Sequence, residues 1–567
     1  MAERSHRPAP HPVVRRDPDL MERDLDVIVV GAGFAGLYMV HRMRQSGRSV
    51  RAFEAGNGVG GTWFWNRYPG ARCDVESMEY SYGFSEELEQ AWEWTERYAS
   101  QPEILRYINH VADRFELRDH IQLDTKVVSA HYLDSESSRE SGGTKRGSNG
   151  SGRWRVVTDD GESWTAAFCI MATGCLSSTI TPDIPGLDSF TGGLYHTSRW
   201  PHEGVDFAGK RVGIIGTGSS GVQSIPIIAR EAAHLTVFQR TPNFSIPAHN
   251  VPLASEIQAE IKRDYQGIRA QNRERAAAFG IHWGPAGGLT FDSTGDERRE
   301  AYESRWRMGG LGFISVFADL LLDKRANDEA AEFVRAKIHG IVEDPEVVAL
   351  LSPDHVLGCK RPCTDTGYYE AFNRPNVELV DVSRDPVERI TATSLVTGER
   401  EFELDCLVLA TGFDAMTGAL RAIDIRGRDG LTLVDKWSAG PITYLGLGTS
   451  GFPNFFTITG PGSPSVLANM VTAIEQHVDW ITDCLEFMRT QGHSTIEATA
   501  TAEKDWVEHV NTVADMTLYP TCNSWYLGAN VPGKPRVFMP HIGFPPYVEK
   551  CEDVAAKGYE GFSFQDR

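Results

Sequence analysis

A chain of 567 residues exceeds the size at which one hydrophobic core keeps growing, so about two to four domains are expected. Its 41% hydrophobic and 10% aromatic residues, with 13 Trp, match ordinary globular proteins and exclude a disordered or fibrous chain. With 56 Lys and Arg against 77 Asp and Glu, the formal charge of -21 repels phosphate backbones and anionic lipid. Nucleic acid is therefore not an expected partner, and an anionic cofactor must be met locally by helix N-termini and individual cations.

Residues 1–23 are rich in Arg and Pro and lack the apolar stretch of a secretion signal, so a disordered tail is expected. Residues 24–30, DLDVIVV, form a near-continuous apolar run ending at Gly31, the pattern of a parallel strand buried on both faces. Gly31-x-Gly33-x-x-Gly36 follows and opens the helix FAGLYMVHRMRQSG, after which the strand VRAFE places Glu54 18 residues beyond the third glycine. In a dinucleotide cradle the first glycine permits the tight turn, the second admits the pyrophosphate, and the third lets helix and strand pack closely. The acid accepts from ribose hydroxyls.

Between 135 and 153 a Ser/Gly/Arg stretch separates the strand-like KVVSAHYL and RWRVVT, as in an elongated hairpin loop. The strand AFCIMATG ends in Ala172-Thr173-Gly174, a turn that lets chain pass close to a bound cofactor. A second buried strand, KRVGII, enters Gly216-x-Gly218-x-x-Gly221, but the residue 18 beyond Gly221 is Gln239, followed by Arg240 and Thr241. A carboxylate would repel a ribose 2′-phosphate and a guanidinium would bind it, so this site is expected to prefer NADPH to NADH.

From about Pro252 to Asp344 the chain turns charged, Ala-rich and helix-periodic. A second Ala-Thr-Gly turn, Ala410-Thr411-Gly412, ends the apolar strand in LDCLVLATGFD. The expected fold is α/β, with two Rossmann-like dinucleotide-binding domains, for FAD and NADP, and a helical insertion. Residues 24–165 and 412–567 are assigned to the FAD-binding domain, 166–244 and 345–411 to the NADP-binding domain, and 245–344 to the insertion. Two unlike nucleotide sites in one chain imply electron flow from a nicotinamide to a flavin, which can pass electrons to dioxygen.

Nine cysteines are too few and too irregular for a disulfide scaffold, and an odd count leaves one unpaired, so a reducing compartment is expected. Cys359 and Cys363 are the closest clustered pair, but without a second pair or a nearby His they make a poor metal site, and no metal is expected. No apolar run reaches the ~18 residues of a membrane span, and a cytoplasmic location is expected.

Phe190-x-Gly192-x-x-x-His196-x-x-x-Trp200-Pro201 stands before the second cradle, and Gly60-Gly61-x-Trp63-x-x-x-x-Tyr68-Pro69-Gly70-x-x-x-Asp74 follows the first. Both stretches resemble long motifs of the type I Baeyer–Villiger monooxygenases. The resemblance spans nearly the whole chain, through Lys360-Arg361, ATGFD at 410–414, GPGSPSVLANM at 460–470 and SWYLGANVPGK at 524–534, and is nearest to the phenylacetone and steroid monooxygenase branch. The loop near 135–153 is longer than the hairpins of that branch.

That resemblance implies a reduced flavin that captures dioxygen as a C4a-peroxide, which attacks a ketone to give an ester or lactone. It implies that Arg361 stabilises the peroxyanion and the developing oxyanion, since a fixed guanidinium can do so without donating a proton. Asp74 is implied as the carboxylate that holds Arg361; turn capping after Pro69-Gly70 and a surface ion pair beside Lys360 are the plainer alternatives for the two. Lys360 and Arg240 are implied as 2′-phosphate contacts, Thr217, Ser219 and Thr241 as parts of the second cradle, and Trp63 as part of the cofactor site. Trp525 is placed near the nicotinamide half, although a Trp in a loop is more often plain packing. Ser465, Val466 and Leu467 are implied as lining the substrate pocket, and His196 and Trp200 as coupling the domains.

Three other readings compete. An N- or S-hydroxylating flavin monooxygenase lacks the Trp200-Pro201 ending. A flavin disulfide reductase needs a redox pair beside the flavin, whereas Cys73 and Cys175 have no close partner in sequence. A non-catalytic redox sensor would have no reason to keep Asp74, Arg361 and the full fingerprint.

Overall fold

The computed structural model describes residues 23–134 and 152–566. The expected tail, apart from Arg23, and the loop near 135–153, apart from its last two residues, lie outside them. Strands β1 (Asp24–Val30), β2 (Val50–Phe53), β3 (Ile121–Gln122), β4 (Val127–Leu133), β5 (Arg153–Thr158) and β6 (Ser163–Met171) join Asp424–Arg426 and Phe455–Thr457 in an eight-stranded sheet. The apolar run of β1 is buried from Val27 to Val30 because the strand lies between parallel neighbours, with Val30 opposite both Phe53 and Met171. β4 and β5 form the antiparallel hairpin expected from their sequences.

The second sheet has five parallel strands. β7 (Gly193–His196), Cys406–Leu409, β8 (Arg211–Ile215), β9 (His234–Gln239) and Val377–Asp381 lie side by side in that order. Each cradle helix starts where its strand ends: Phe34–Gln45 after Gly33, and Ser219–Glu231 after Gly218. Arg42 and Arg44 in the last turn of the first helix complement its dipole.

Two boundaries differ from the expectation. Residues 166–171, assigned to the NADP-binding domain, belong to β6, which pairs along the whole length of β1 in the first sheet. The strand of a βαβ unit cannot be cut from its neighbour without exposing a row of unpaired backbone groups. Ser245–Pro247, assigned to the insertion, is a short strand paired with Cys363–Asp365.

The insertion does contain long helices, at Ser255–Arg263, Tyr265–Arg273, Gly295–Met308 and Lys324–Ile341. It is not a separate body. Tyr265, Phe279 and Trp283 pack into the core of the first sheet, Ile338 and Val342 into that of the second, and Tyr302, Trp306 and Phe313 form a cluster between them. The insertion thus braces both nucleotide-binding units. No helix of the described residues is long and apolar enough to cross a membrane.

Candidate active site

The two cradles are built alike. A Cβ on Gly36 would strike the Gly31 carbonyl oxygen, and one on Gly221 the Gly216 carbonyl oxygen, so each third glycine lets its helix lie against the turn. The first glycines have φ of +106° and +110° and abut the carbonyls of Ala172 and Ala410, which places each Ala-Thr-Gly turn directly on its cradle. The second glycines differ: a Cβ on Gly218 would meet nothing within 4 Å, whereas one on Gly33 would come 3.3 Å from the Gly61 Cα. Gly33 therefore also makes room for the Gly60-Gly61 turn.

Glu54 is buried, accepting the Ala32 N–H at 2.8 Å and the Gly56 N–H at 2.9 Å, one on each oxygen. Burial raises its pKa, and those backbone bonds offset part of the rise. A carboxylate ringed by donors at the end of the second strand fits the ribose end of a dinucleotide.

In the second cradle Gln239 turns inward and donates to the Leu350 carbonyl oxygen, leaving Arg240 exposed at the strand end. Thr217 donates to the Thr241 carbonyl oxygen at 3.1 Å, closing that side, and Ser219 Oγ lies 3.5 Å from Cys363 Sγ. Burial and the neighbouring Arg240 lower the pKa of Lys360. Asp354 offsets part of that fall, so two cations stand beside a single carboxylate, an excess of positive charge of the kind a phosphate satisfies.

The second long motif joins the two units. A Cβ on Gly70 would strike the Gln223 carbonyl oxygen, Tyr68 donates to Gln223 Oε1 at 2.9 Å, and Gln223 Nε2 donates to the Arg72 carbonyl oxygen at 3.1 Å. Trp63 is buried in the first unit, its Nε1 3.2 Å from Tyr80 Oη. His196 Nδ1 accepts the Ser198 N–H at 3.1 Å, which leaves the proton on Nε2, 3.2 Å from both the Ile180 carbonyl oxygen and Thr411 Oγ1. Burial lowers its pKa, so a neutral ring ties the linker to the second Ala-Thr-Gly turn. Trp200 packs on Tyr195 and Phe207.

Arg361 and Asp74, 287 residues apart, meet: Nε lies 2.7 Å from Asp74 Oδ2, and Nη2 donates to Oδ1 at 3.0 Å. Nη1 donates to the Val466 carbonyl oxygen at 2.7 Å. Burial pulls the guanidinium pKa down, but Asp74, with Tyr526 and Cys73 behind it, more than offsets this and holds it above the ordinary arginine value. Asp74 and Arg361 side chains are 30% and 21% exposed, so the pair is not sealed in the core.

Ser465 and Val466 are buried and Leu467 half-buried; Val466 belongs to an apolar cluster with Met416, Tyr519, Tyr526 and Phe538, against which Leu467 and Trp525 pack. Ser465 has φ of +42° and points its hydroxyl at Met416 Sδ, 3.6 Å away. Sequence reasoning quoted ATGFD and SWYLGANVPGK but gave no role to Asp414, Asn530 or Lys534. Lys534 Nζ lies 2.5 Å from Asp414 Oδ1, and Asn530 donates to the Phe413 carbonyl oxygen at 2.7 Å. The C-terminal loop is thereby fastened over the second Ala-Thr-Gly turn. Opposite charges in two motifs were the available signal. Cys359, the near neighbour of Cys363 in sequence, is bonded to Cys522, and Cys73 and Cys175 are both free thiols.

Two glycine cradles in one chain, one backed by an acid and the other by two neighbouring cations, define an oxidoreductase that binds a flavin and a pyridine dinucleotide. A family profile described as pyridine nucleotide-disulphide oxidoreductase matches residues 25–282. A Baeyer–Villiger monooxygenase of Pseudooceanicola batsensis is 43% identical over 94% of this chain and 95% of its own. A solved structure described as oxidized steroid monooxygenase bound to NADP is 52% identical, with a TM-score of 0.89 over 96% of this chain and all of its own. Phenazine N-monooxygenase PhzNO1 of Lysobacter antibioticus is 40% identical over 95% of this chain and 96% of its own. The chain belongs to the Baeyer–Villiger monooxygenases, FAD- and NADPH-dependent enzymes that oxygenate ketones.

Proposed function

We propose that the first cradle holds FAD and the second NADPH, and that Arg361, positioned by Asp74, stabilises the negative charge that develops as oxygen is added to a ketone carbonyl. The observation that carries this is the fixed, charged guanidinium of Arg361, gripped on one side by both Asp74 oxygens and on the other by the Val466 carbonyl. The reduced flavin supplies the electrons that activate dioxygen. Arg361 offers charge and hydrogen bonds without surrendering a proton, which favours addition of a nucleophilic oxygen to a carbonyl. Asp74 keeps the guanidinium in one place and balances its charge.

Val466 joins the two tasks, because its carbonyl anchors Arg361 while its side chain belongs to the apolar wall. Met416, Tyr526 and Phe538 complete that wall and keep water from the oxygen-transfer site. The 2′-phosphate is met by Arg240 and Lys360, the pyrophosphate by the open backbone at Gly218, and the ribose of FAD by Glu54. His196 and Trp200 hold the linker and the second unit in register, and neither takes part in the chemistry.

The test is NADPH consumption by the purified yellow protein with linear, cyclic, aryl and steroidal ketones, a thioether and a phenazine, with organic product and hydrogen peroxide both quantified. Ester or lactone formed in step with NADPH is expected. The phenazine N-monooxygenase among the relatives supports one second reading, and coupled N-oxide formation with no ester from any ketone would install it in place of the first.

A further inference from the structure

The chain has nine cysteines; seven are free and buried, and only Cys359 and Cys522 are bonded to each other, 163 residues apart with Cα atoms separated by 5.7 Å. A scaffold would use more of the thiols, so this single bridge is distinguished by where it sits. Cys359 directly precedes Lys360 and Arg361. Cys522 lies just before Trp525 and Tyr526, in the loop that is also held by the Arg361 backbone N–H facing the Tyr526 hydroxyl, by the Lys534–Asp414 ion pair and by the Asn530 bond to Phe413. Those ties are non-covalent and reversible; the bridge is the one covalent tie among the described residues.

We propose that Cys359 and Cys522 are a redox modification site: as a disulfide they lock the loop of Trp525 and Tyr526 onto the Lys360–Arg361 segment, and as a dithiol they release it. The functional consequence rests on the reading of Lys360 and Trp525 as parts of the nicotinamide cofactor site, because a locked loop slows cofactor exchange while a released one speeds it. Both states have a place in the fold. Cys522 is half-buried and so reachable from solvent, and the Leu518 carbonyl oxygen, 3.2 Å from Cys522 Sγ, is ready to accept from the thiol once the bridge opens.

The oxidant is hydrogen peroxide and the reductant a low-molecular-weight dithiol. The Cys522 thiolate attacks one peroxide oxygen, the O–O bond breaks, and a sulfenic acid forms with loss of hydroxide, which takes up the thiol proton as water. Cys359 sulfur then attacks the sulfenic sulfur, the S–S bond forms, and a second water leaves. Two electrons and two protons pass from the two thiols to one peroxide, giving two waters. A dithiol reverses the bridge by two exchange steps and is itself left as a disulfide.

The experiment uses the FAD-loaded enzyme, pretreated with hydrogen peroxide or with dithiothreitol and freed of both. Thiols are counted after denaturation, the bridge is located by peptide mass mapping, and NADP+ release is followed by rapid mixing. Expected are two more thiols in the reduced sample, a Cys359–Cys522 peptide in the oxidised one, and NADP+ release about tenfold faster after reduction, as loop-controlled affinity changes fall mainly on the off-rate. Cys522→Ser should behave as the reduced enzyme whatever the pretreatment; Cys359→Ser provides the same comparison if the first variant folds poorly. Absence of the bridged peptide after peroxide would overturn the site, and equal release rates in the two states would overturn its effect. None of these readouts requires a ketone, so a failure to oxygenate ketones would count against the proposed chemistry and leave the clamp standing.

Discussion

Replacing Asp74 by Asn removes the charge that holds Arg361 while preserving the shape of the side chain. Breaking a fully buried ion pair costs about 3–5 kcal/mol, whereas an exposed pair is worth about 0–1 kcal/mol. With side chains 30% and 21% exposed, this pair falls between those limits, at about 2 kcal/mol once solvent screening is allowed for. The second anchor, Nη1 to the Val466 carbonyl at 2.7 Å, survives, so Arg361 is loosened and not lost. A deficit of about 2 kcal/mol expressed in the oxygenation step corresponds to a rate loss of about 30-fold. Anaerobic stopped-flow mixing with NADPH should show flavin reduction within about twofold of the parent, because neither cradle is touched. Ketone conversion in air should fall by the larger factor. Unchanged conversion, or loss of reduction and conversion in equal measure, would refute a positioning role for Asp74.

Arg240→Ala should raise the KM for NADPH about tenfold with kcat little changed, the effect of losing one charge-assisted bond at an exposed strand end, and should leave the KM for NADH unaltered. Gly36→Ala forces a Cβ into the Gly31 carbonyl, an overpacking cost of about 1–3 kcal/mol at the cradle itself, so the purified protein should carry less flavin per chain, read from its visible absorbance. Burial depresses the pKa of His477 to about 3 and those of His41 and His541 to about 4, so each stays neutral in the fold while the unfolded chain protonates near 6.5. Their stabilising contribution is therefore complete above pH 6.5 and is lost as pH falls below it, at up to about 1.4 kcal/mol per pH unit for the fully buried His477 and less for His41, which is partly exposed and screened by solvent. Glu475, raised by burial to about 7, runs the other way, contributing fully below pH 4.5 and losing this as pH rises through 7. The histidine contribution is read by comparing the parent with His477→Gln: between pH 6.5 and 4.5 the parent should lose more melting temperature than the variant, and equal losses would contradict the burial of that ring.

Both cradles were legible because their requirements are local: a buried strand, three glycines at fixed spacing and a helix all fall within one short stretch of chain. The replacement of the acid by Gln239-Arg240 was legible for the same reason. The closeness of Arg240 to Lys360 was not, since it depends on two segments far apart in sequence. The end of β6 was misassigned because an apolar strand does not announce which sheet it joins; pairing along β1 decides that. The Asp74–Arg361 meeting came from resemblance alone, as no spacing rule links residues 287 apart. The Cys359–Cys522 bond was not legible because 163 residues separate the two, and the fold brings Cys522 in from the C-terminal loop.

The role of Arg361 is tested most directly by Arg361→Ala, with NADPH-driven flavin reduction and ketone conversion measured on the same preparation. Bound flavin and reduction should persist while ester or lactone formation falls to background and NADPH is diverted to hydrogen peroxide. Ester or lactone formed at the parental rate by that variant would contradict the assignment of Arg361 to the chemistry.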